Sequence, residues 1–322
     1  MNPFPIPRAV DIGGATLSVH EEGAGPAIVL VHGWPEIAYS WKNQIGPLAA
    51  AGYRVIAPDF KGFGASSAPR DKSLYDIRHL TDDLARLLDA LGVERAIFCG
   101  HDWGGAVVWP MAQLHDTRVA GVIGVCTPHR APPPAPPLSI INKRFGEKHY
   151  FIQFQEEGAV ERLFETDIEG FFRLMFRRPP TLEEIAKIGP RMLDLPGRFR
   201  DGPPPDPAST IIGDDDLQVY VDAYRRSGFH GGVNLYRNID RNYEIMRDAD
   251  PVIRLPSLWI GAELDAFLPP SGADGMEAIV PDLEKAIVKD CGHWVMWEQP
   301  QALNAILLDW LTRKFPANPP QI

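Results

Sequence analysis

Apolar and polar positions change rhythm several times along the chain. Two short runs, Ala27-Ile28-Val29-Leu30-Val31 and Arg54-Val55-Ile56-Ala57-Pro58, are almost uniformly apolar and end in turn residues. That is the pattern of buried parallel strands. From Ile77 the rhythm becomes helical: Ile77, Leu80, Leu84, Leu87, Leu88 and Leu91 fall on one face, Asp82, Asp83, Arg86 and Asp89 on the other, and Gly92 closes the run. A strand over 96–99, a glycine-rich turn, a helix over 106–115 and a strand over 119–125 follow. Strand alternating with helix predicts an α/β fold: a mostly parallel sheet with helices on both faces, because parallel neighbours need crossovers.

The alternation breaks after Pro128. Residues 131–137 are nearly all proline, and 203–207 form a second rigid interruption. The text between and around them is helical, with Val160, Leu163 and Phe164 and then Ile168, Phe171, Phe172 and Met175 at helical spacing. Strand-like text returns at 257–260 and 286–288, and the pattern ends in a helix over 302–311. The chain therefore reads as one core domain, 1–130 and 246–322, interrupted by a helical cap over 131–245. Two sequential domains would leave the last strands without a sheet. No internal repeat is evident.

Composition narrows the function classes. A net charge of −10 with no basic block argues against nucleic acid as partner. No apolar run approaches the roughly 18 residues of a membrane span. Met1 to Val10 holds three prolines and no apolar core, so it does not read as a secretory signal. Three cysteines, Cys99, Cys126 and Cys291, with no CxxC pair, read as buried thiols of a cytoplasmic protein.

The chemistry concentrates at one turn. The strand over 96–99 runs into Gly100-His101-Asp102-Trp103-Gly104-Gly105 and then a helix. Small–x–acid–x–small at such a junction matches a nucleophile elbow, in which close-packed glycines let a strained central residue project from the sheet edge onto a helix N-terminus. Glycine spacing fits neither a dinucleotide fingerprint nor a phosphate loop. Taken alone, Asp102 is equally readable as a helix cap. Partners favour the nucleophile: Asp265 follows the strand over 257–260, and His293 follows the strand over 286–288. Nucleophile, second acid, histidine is the chain order of a hydrolase triad, with all three at strand ends, where such sheets bind ligands. Glu263 competes with Asp265 as the group orienting His293. Upstream, His32-Gly33-Trp34-Pro35 also follows a strand, and the backbone amides of Trp34 and Trp103 are the candidate oxyanion donors. No HExxH or clustered ligand pattern appears, so neither metal nor cofactor is expected.

With these segments in view, the sequence closely resembles the epoxide hydrolases of the α/β-hydrolase superfamily. The matching text is His32 to Pro35, Asp59-Phe60-Lys61-Gly62-Phe63-Gly64-Ala65-Ser66, Gly100 to Gly105, Gly261 to Asp265, and Gly292-His293, and the likeness spans roughly residues 5–315. Lys61 departs from the family, which usually carries Arg there. The resemblance implies an α/β-hydrolase fold with a lid over the site, a cis Trp34–Pro35 bond, and Asp265 rather than Glu263 in the triad. It also chooses among the eight tyrosines, which composition leaves open. The segment His149 to Gly158 is similar to the one bearing the first ring-opening tyrosine, here Tyr150. Asn234 to Asn238 is similar to the one bearing the second, here Tyr236.

An aspartate nucleophile selects its substrate. Attack on an ester or amide carbonyl would form an anhydride while expelling a far more basic group, which runs uphill. Attack on saturated carbon forms an ordinary alkyl ester that water can later cleave. The reading is therefore epoxide opening to a vicinal diol: an Asp102 ester, water activated by His293 and Asp265, and Tyr150 and Tyr236 protonating the epoxide oxygen. Substrate and water are the partners expected, with Trp34, Trp103, Phe154 and Phe267 lining an apolar pocket. Glu36 and His101 neighbour the site without assigned chemistry. Tyr220, Tyr224, Trp109, Trp259 and Trp310 read as packing. A haloalkane or haloacid dehalogenase on the same scaffold is the alternative. In those relatives, however, Arg typically replaces Trp103 (the fluoroacetate type), or Asn or Gln replaces His101 (the haloalkane type). A binding protein that has lost catalysis is the third reading.

Overall fold

The computed structural model describes residues 4–181, 183–184, 187, 189–204 and 206–317. Its sheet has eight strands: β1 (Arg8–Asp11), β2 (Thr16–Glu22), β3 (Ala27–Val31), β4 (Arg54–Pro58), β5 (Ala96–His101), β6 (Val119–Val125), β7 (Ser257–Ala262) and β8 (Leu283–Val288). Their order is β1-β2-β4-β3-β5-β6-β7-β8. β1 pairs with β2 and β2 with β4 antiparallel, and every other neighbour is parallel. This is the mostly parallel α/β sheet expected of the alternating text.

Alternate residues of each buried strand serve two cores. On β3, Val29 and Val31 join one apolar cluster while Ile28 and Leu30 join the other. The first holds the inner faces of the helices Ile77–Ala90 and Trp103–Leu114. The second holds those of Lys42–Ala50 and Pro300–Lys314. Trp109, Trp259 and Trp310 are buried in these layers, as their pattern suggested.

Three differences from the sequence reading have simple causes. The hairpin β1–β2 was not anticipated, because its short strands mix polar and apolar residues at the sheet's antiparallel end; Gly13 and Gly14, both at positive φ, make its turn. β8 begins three residues before its apolar triple, since Leu283-Glu284-Lys285 lies on an edge strand that tolerates charge. The helix after β5 begins at Trp103, directly after the candidate nucleophile, instead of at 106.

Between β6 and β7 the described elements are helical apart from an isolated bridge of Arg177 with Thr210. They include Pro137–Phe145, Tyr150–Gln153, Ala159–Phe164, Ile168–Met175, Leu195–Asp201, Asp214–Ser227, His230–Arg237 and Ile239–Met246. Their apolar faces continue the first core cluster: Phe164, Phe171, Tyr224 and Tyr236 belong to the same contiguous set as Val31 and Trp34.

Candidate active site

Chain order places the site. β4 lies on one side of β3 and β5 on the other, so the loops leaving the carboxyl ends of β3 and β5 diverge and leave a crevice between them. Trp34 follows β3 and Asp102 follows β5, one on each side of it.

Asp102 has φ 50° and ψ −118°, a backbone state that a non-glycine residue holds only when its surroundings enforce it. The glycines enforce it: a Cβ on Gly100 would strike the Gly104 carbonyl, and one on Gly104 would strike the Val31 carbonyl. Thr127 Oγ1 donates to the Asp102 carbonyl at 2.7 Å, which fixes the turn from the β6 side. The carboxylate therefore projects into the crevice. Its Oδ1 accepts the Trp34 N–H at 2.9 Å, and Oδ2 lies 3.7 Å from His293 Nε2. Trp103 opens the following helix, where the first amides have no intrahelical acceptor. The Trp34–Pro35 peptide is cis.

His293 Nδ1 meets Asp265 Oδ2 at 2.8 Å, while Asp265 Oδ1 accepts the amides of Phe267 and Leu268 at 2.8 and 2.9 Å. Burial alone would raise the Asp265 carboxyl. The His293 cation and these hydrogen bonds outweigh it and hold the acid at about 2. Burial pulls His293 down, yet Asp265 and the contact with Asp102 keep it well above its ordinary value. Asp102 is lowered against its own burial by the hydrogen bond and charge of His293 and by the charge of His101. Glu263 instead pairs with Lys289 and the Asp290 amide on the exposed side.

Tyr150 and Tyr236 sit above this floor, their rings 5.6 Å apart. Both phenols are raised, by burial first and by nearby negative charge including Asp102, so both stay protonated. One cavity is lined by Asp102, His293, Trp34, Phe267, Tyr150 and Tyr236 together. The expectation that Phe154 and Trp103 also face it is not met. Phe154 is fully buried behind Trp34, Tyr150 and Tyr236, and Trp103 packs edge-on against Tyr236 and lines an outer groove instead. Tyr220 and Tyr224 are packing residues, their hydroxyls meeting Ser40 Oγ at 2.7 Å and the Glu36 carbonyl at 3.4 Å.

Sequence reasoning understated His101 and Glu36. Both are fully buried, with His101 Nδ1 on Glu36 Oε2 at 2.7 Å and Nε2 on the His293 carbonyl at 2.8 Å. Burial opposes the imidazolium, but Glu36 carries its pKa up to about 10. Lys61, the departure from the family text, makes a buried ion pair with Asp83 at 2.7 Å, away from this cavity. His101, Cys126 and His293 bring ligand-type atoms within 4.8 Å of one another, but both ring nitrogens of His101 are already engaged. The arginines of the cavity wall, Arg177, Arg178 and Arg198, gave no sequence signal, lying outside any motif.

Comparison with known proteins agrees with this geometry. The family model for the alpha/beta hydrolase fold matches residues 26–300. Epoxide hydrolase A of Mycobacterium tuberculosis is 40% identical over 317 residues, covering 96% of this chain and 98% of that protein. The bifunctional epoxide hydrolase 2 of Sus scrofa is 38% identical over 300 residues, covering 92% of this chain. The chain spans about half of that relative's length, 53%. Among solved structures, epoxide hydrolase A from Mycobacterium thermoresistibile superposes with a TM-score of 0.85 at 36% identity, covering 95% of this chain and 98% of that one. An epoxide hydrolase from an endophytic Streptomyces gives 0.86 at 34%, covering 95% of each chain. Nothing in these likenesses supports halide displacement.

Proposed function

The chain belongs to the epoxide hydrolases of the α/β-hydrolase fold family, and on that premise we propose that it converts an epoxide and water to a vicinal diol through an ester on Asp102. The observation that carries this reading is the convergence of a carboxylate, an imidazole and two phenols on one cavity. In the first step Asp102 Oδ2 attacks a ring carbon. The C–O bond breaks, and a proton from Tyr150 or Tyr236 meets the departing oxygen. A phenol suits this task, since an alkoxide is basic enough to take its proton and burial keeps the donor protonated until then.

Esterification removes the charge of Asp102, one of the two carboxylates that hold His293 protonated. His293 gives up its proton, the phenolate left by ring opening recovers one, and the neutral imidazole, oriented by Asp265, then takes a proton from the water that attacks the ester carbonyl. The Trp34 amide, already on Oδ1, is placed to hold the oxyanion, with the Trp103 amide as its partner. Collapse, with a proton passing to the departing alkoxide, releases the diol and restores the carboxylate. In this reading residues 131–245 are the lid that carries the two tyrosines. The three free, buried cysteines suit a reducing, cytoplasmic setting, and no helix among the described residues is long and apolar enough to cross a membrane.

The test is His293→Gln. Incubated with styrene oxide, this variant is expected to accumulate protein heavier by the mass of the epoxide, the label mapping to Asp102. A variant that stays unmodified while the parent turns the substrate over would remove the covalent step.

A further inference from the structure

The turn that carries His293 is gripped from two sides. On one side His101 Nε2 meets the His293 carbonyl at 2.8 Å. On the other lies Glu298, the last residue of the short helix Val295–Glu298 that follows the turn. Its Oε2 accepts the Gly292 amide at 2.8 Å and its Oε1 the Trp294 amide at 3.0 Å. One carboxylate thus takes the N–H groups immediately before and after His293. The Glu298 amide in turn donates to the Trp294 carbonyl at 3.0 Å, a reciprocal arrangement in the manner of a capping box. Glycine at 292 belongs to the same fit, because a Cβ there would come 3.0 Å from Glu298 Oε1 and 2.7 Å from Pro179 Cβ.

Glu298 is not placed as a cap on a solvated helix would be. It lines the active-site cavity together with His293, and among the described residues its carboxylate is held by amides and forms no salt bridge. Burial raises its carboxyl, and the two amides and the His293 charge offset this only in part. Burying an acid without a cation beside it costs stability. What a carboxylate supplies here, and a neutral side chain of the same shape does not, is an acceptor at both ends. A glutamine would present its carbonyl to one amide and its N–H donors to the other.

The two chemical steps lean on this turn unequally. Ring opening uses the Asp102 carboxylate and the phenols. Ester hydrolysis needs His293 Nε2 aimed at a water beside the Asp102 carbonyl. Asp265 fixes the rotation of the ring through Nδ1 at 2.8 Å, but the backbone decides where the ring stands. Resting on the reading above, we propose that Glu298 is a positioning residue for ester hydrolysis: by holding both amides that flank His293, it sets Nε2 against the attacking water.

The test follows Glu298→Gln and Glu298→Asp on styrene oxide by steady-state kinetics, single-turnover tryptophan fluorescence and intact-protein mass. In Glu298→Gln, hydrolysis should slow by about ten- to a hundredfold, the scale for a catalytic group displaced by about an ångström, while ring opening stays within about threefold of the parent. In consequence kcat and KM should fall together, kcat/KM should be nearly kept, and ester should build up on Asp102 during turnover. Glu298→Asp retains two acceptor oxygens on a shorter arm and should recover part of the hydrolysis rate. A merely loosened fold would slow both steps alike and leave no ester. That parallel loss, or hydrolysis unchanged in Glu298→Gln, overturns the proposal. If Glu298→Gln does not fold, Glu298→Asp decides alone: a deficit in ring opening, or none at all, counts against it. Absence of ester in His293→Gln while the parent turns styrene oxide over would instead remove the covalent reading on which the proposal rests.

Discussion

At the scale of single residues, the division of labour follows from what each side chain can do where it sits. Asp102, Asp265 and His293 stand just past the ends of different strands, and for that reason all three were legible in the sequence. The tyrosines were not legible from the residues alone, because helix periodicity marks a packing tyrosine and a donating one alike. Their roles rested on resemblance, and the structure gives them a shared space above Asp102. Under the proposed mechanism, two phenols serving one departing oxygen predict a particular pattern of loss. Tyr150→Phe or Tyr236→Phe alone should slow ester formation by about ten- to a hundredfold, since the remaining phenol still protonates the oxygen. The double variant should lose at least about a thousandfold, within the range for general acid catalysis. Stopped-flow tryptophan fluorescence during a single turnover reads the alkylation step directly. Equal losses in the two single variants and the double would mean that both hydroxyls act as one unit, and no loss in either would remove them from the chemistry.

At the scale of elements, the site depends on the Asp265 loop after β7 and on three further loops, leaving β3, β5 and β8, all holding their relative positions. Glu36 belongs to the β3 loop, His101 ends β5, and the His293 carbonyl belongs to the β8 loop, so one buried carboxylate–imidazolium pair ties these three. Glu36 Oε2 also accepts the Gly33 amide at 2.9 Å, which fixes the turn that presents the Trp34 N–H to Asp102. Adjacent positions in sequence, Glu36 two past Trp34 and His101 one before Asp102, hinted at a supporting role without revealing that the two side chains meet. The stability of this tie is pH-dependent with a definite sign. The His101 pKa is raised to about 10, so its contribution is complete below the ordinary histidine range and is lost as pH rises through about 10. Glu36 is lowered, its own burial opposing and the His101 cation prevailing, so its contribution is lost as pH falls below the ordinary carboxylate range. Glu36→Gln should therefore cost about 3 kcal/mol near neutrality, the scale for breaking a buried pair. The gap to the parent should narrow at a pH above about 10. Urea unfolding at the two pH values measures it, and a gap that does not narrow would show that His101 is neutral in the folded protein.

At the scale of the whole molecule, the chain's two regimes of pattern, strand–helix alternation and proline-bounded helical text, invite a picture of two separable parts. The packing argues otherwise. The apolar cluster on one face of the sheet runs without interruption from Val29 and Val31 through Trp34 to Phe164, Phe171, Tyr224 and Phe229 of the helical stretch between β6 and β7. Hydrogen bonds reinforce it at several separate points: Trp294 Nε1 donates to the Met175 carbonyl at 2.7 Å, Asn242 Oδ1 accepts the Ile77 amide at 2.7 Å, and Asn238 Nδ2 donates to the Lys72 carbonyl at 2.7 Å. Periodicity could not foretell this, because it assigns each apolar face to burial without saying which neighbour buries it. Stripped of those helices, the sheet would expose Trp34, Phe60 and Phe63, and the helices would expose a matching row of phenylalanines, so neither part has a complete core by itself. The protein should consequently unfold as one cooperative unit. Far-ultraviolet circular dichroism and tryptophan fluorescence should give the same urea midpoint, and calorimetric and van't Hoff enthalpies should agree wherever unfolding is reversible. Two separated transitions would place the boundary between independent units inside this cluster.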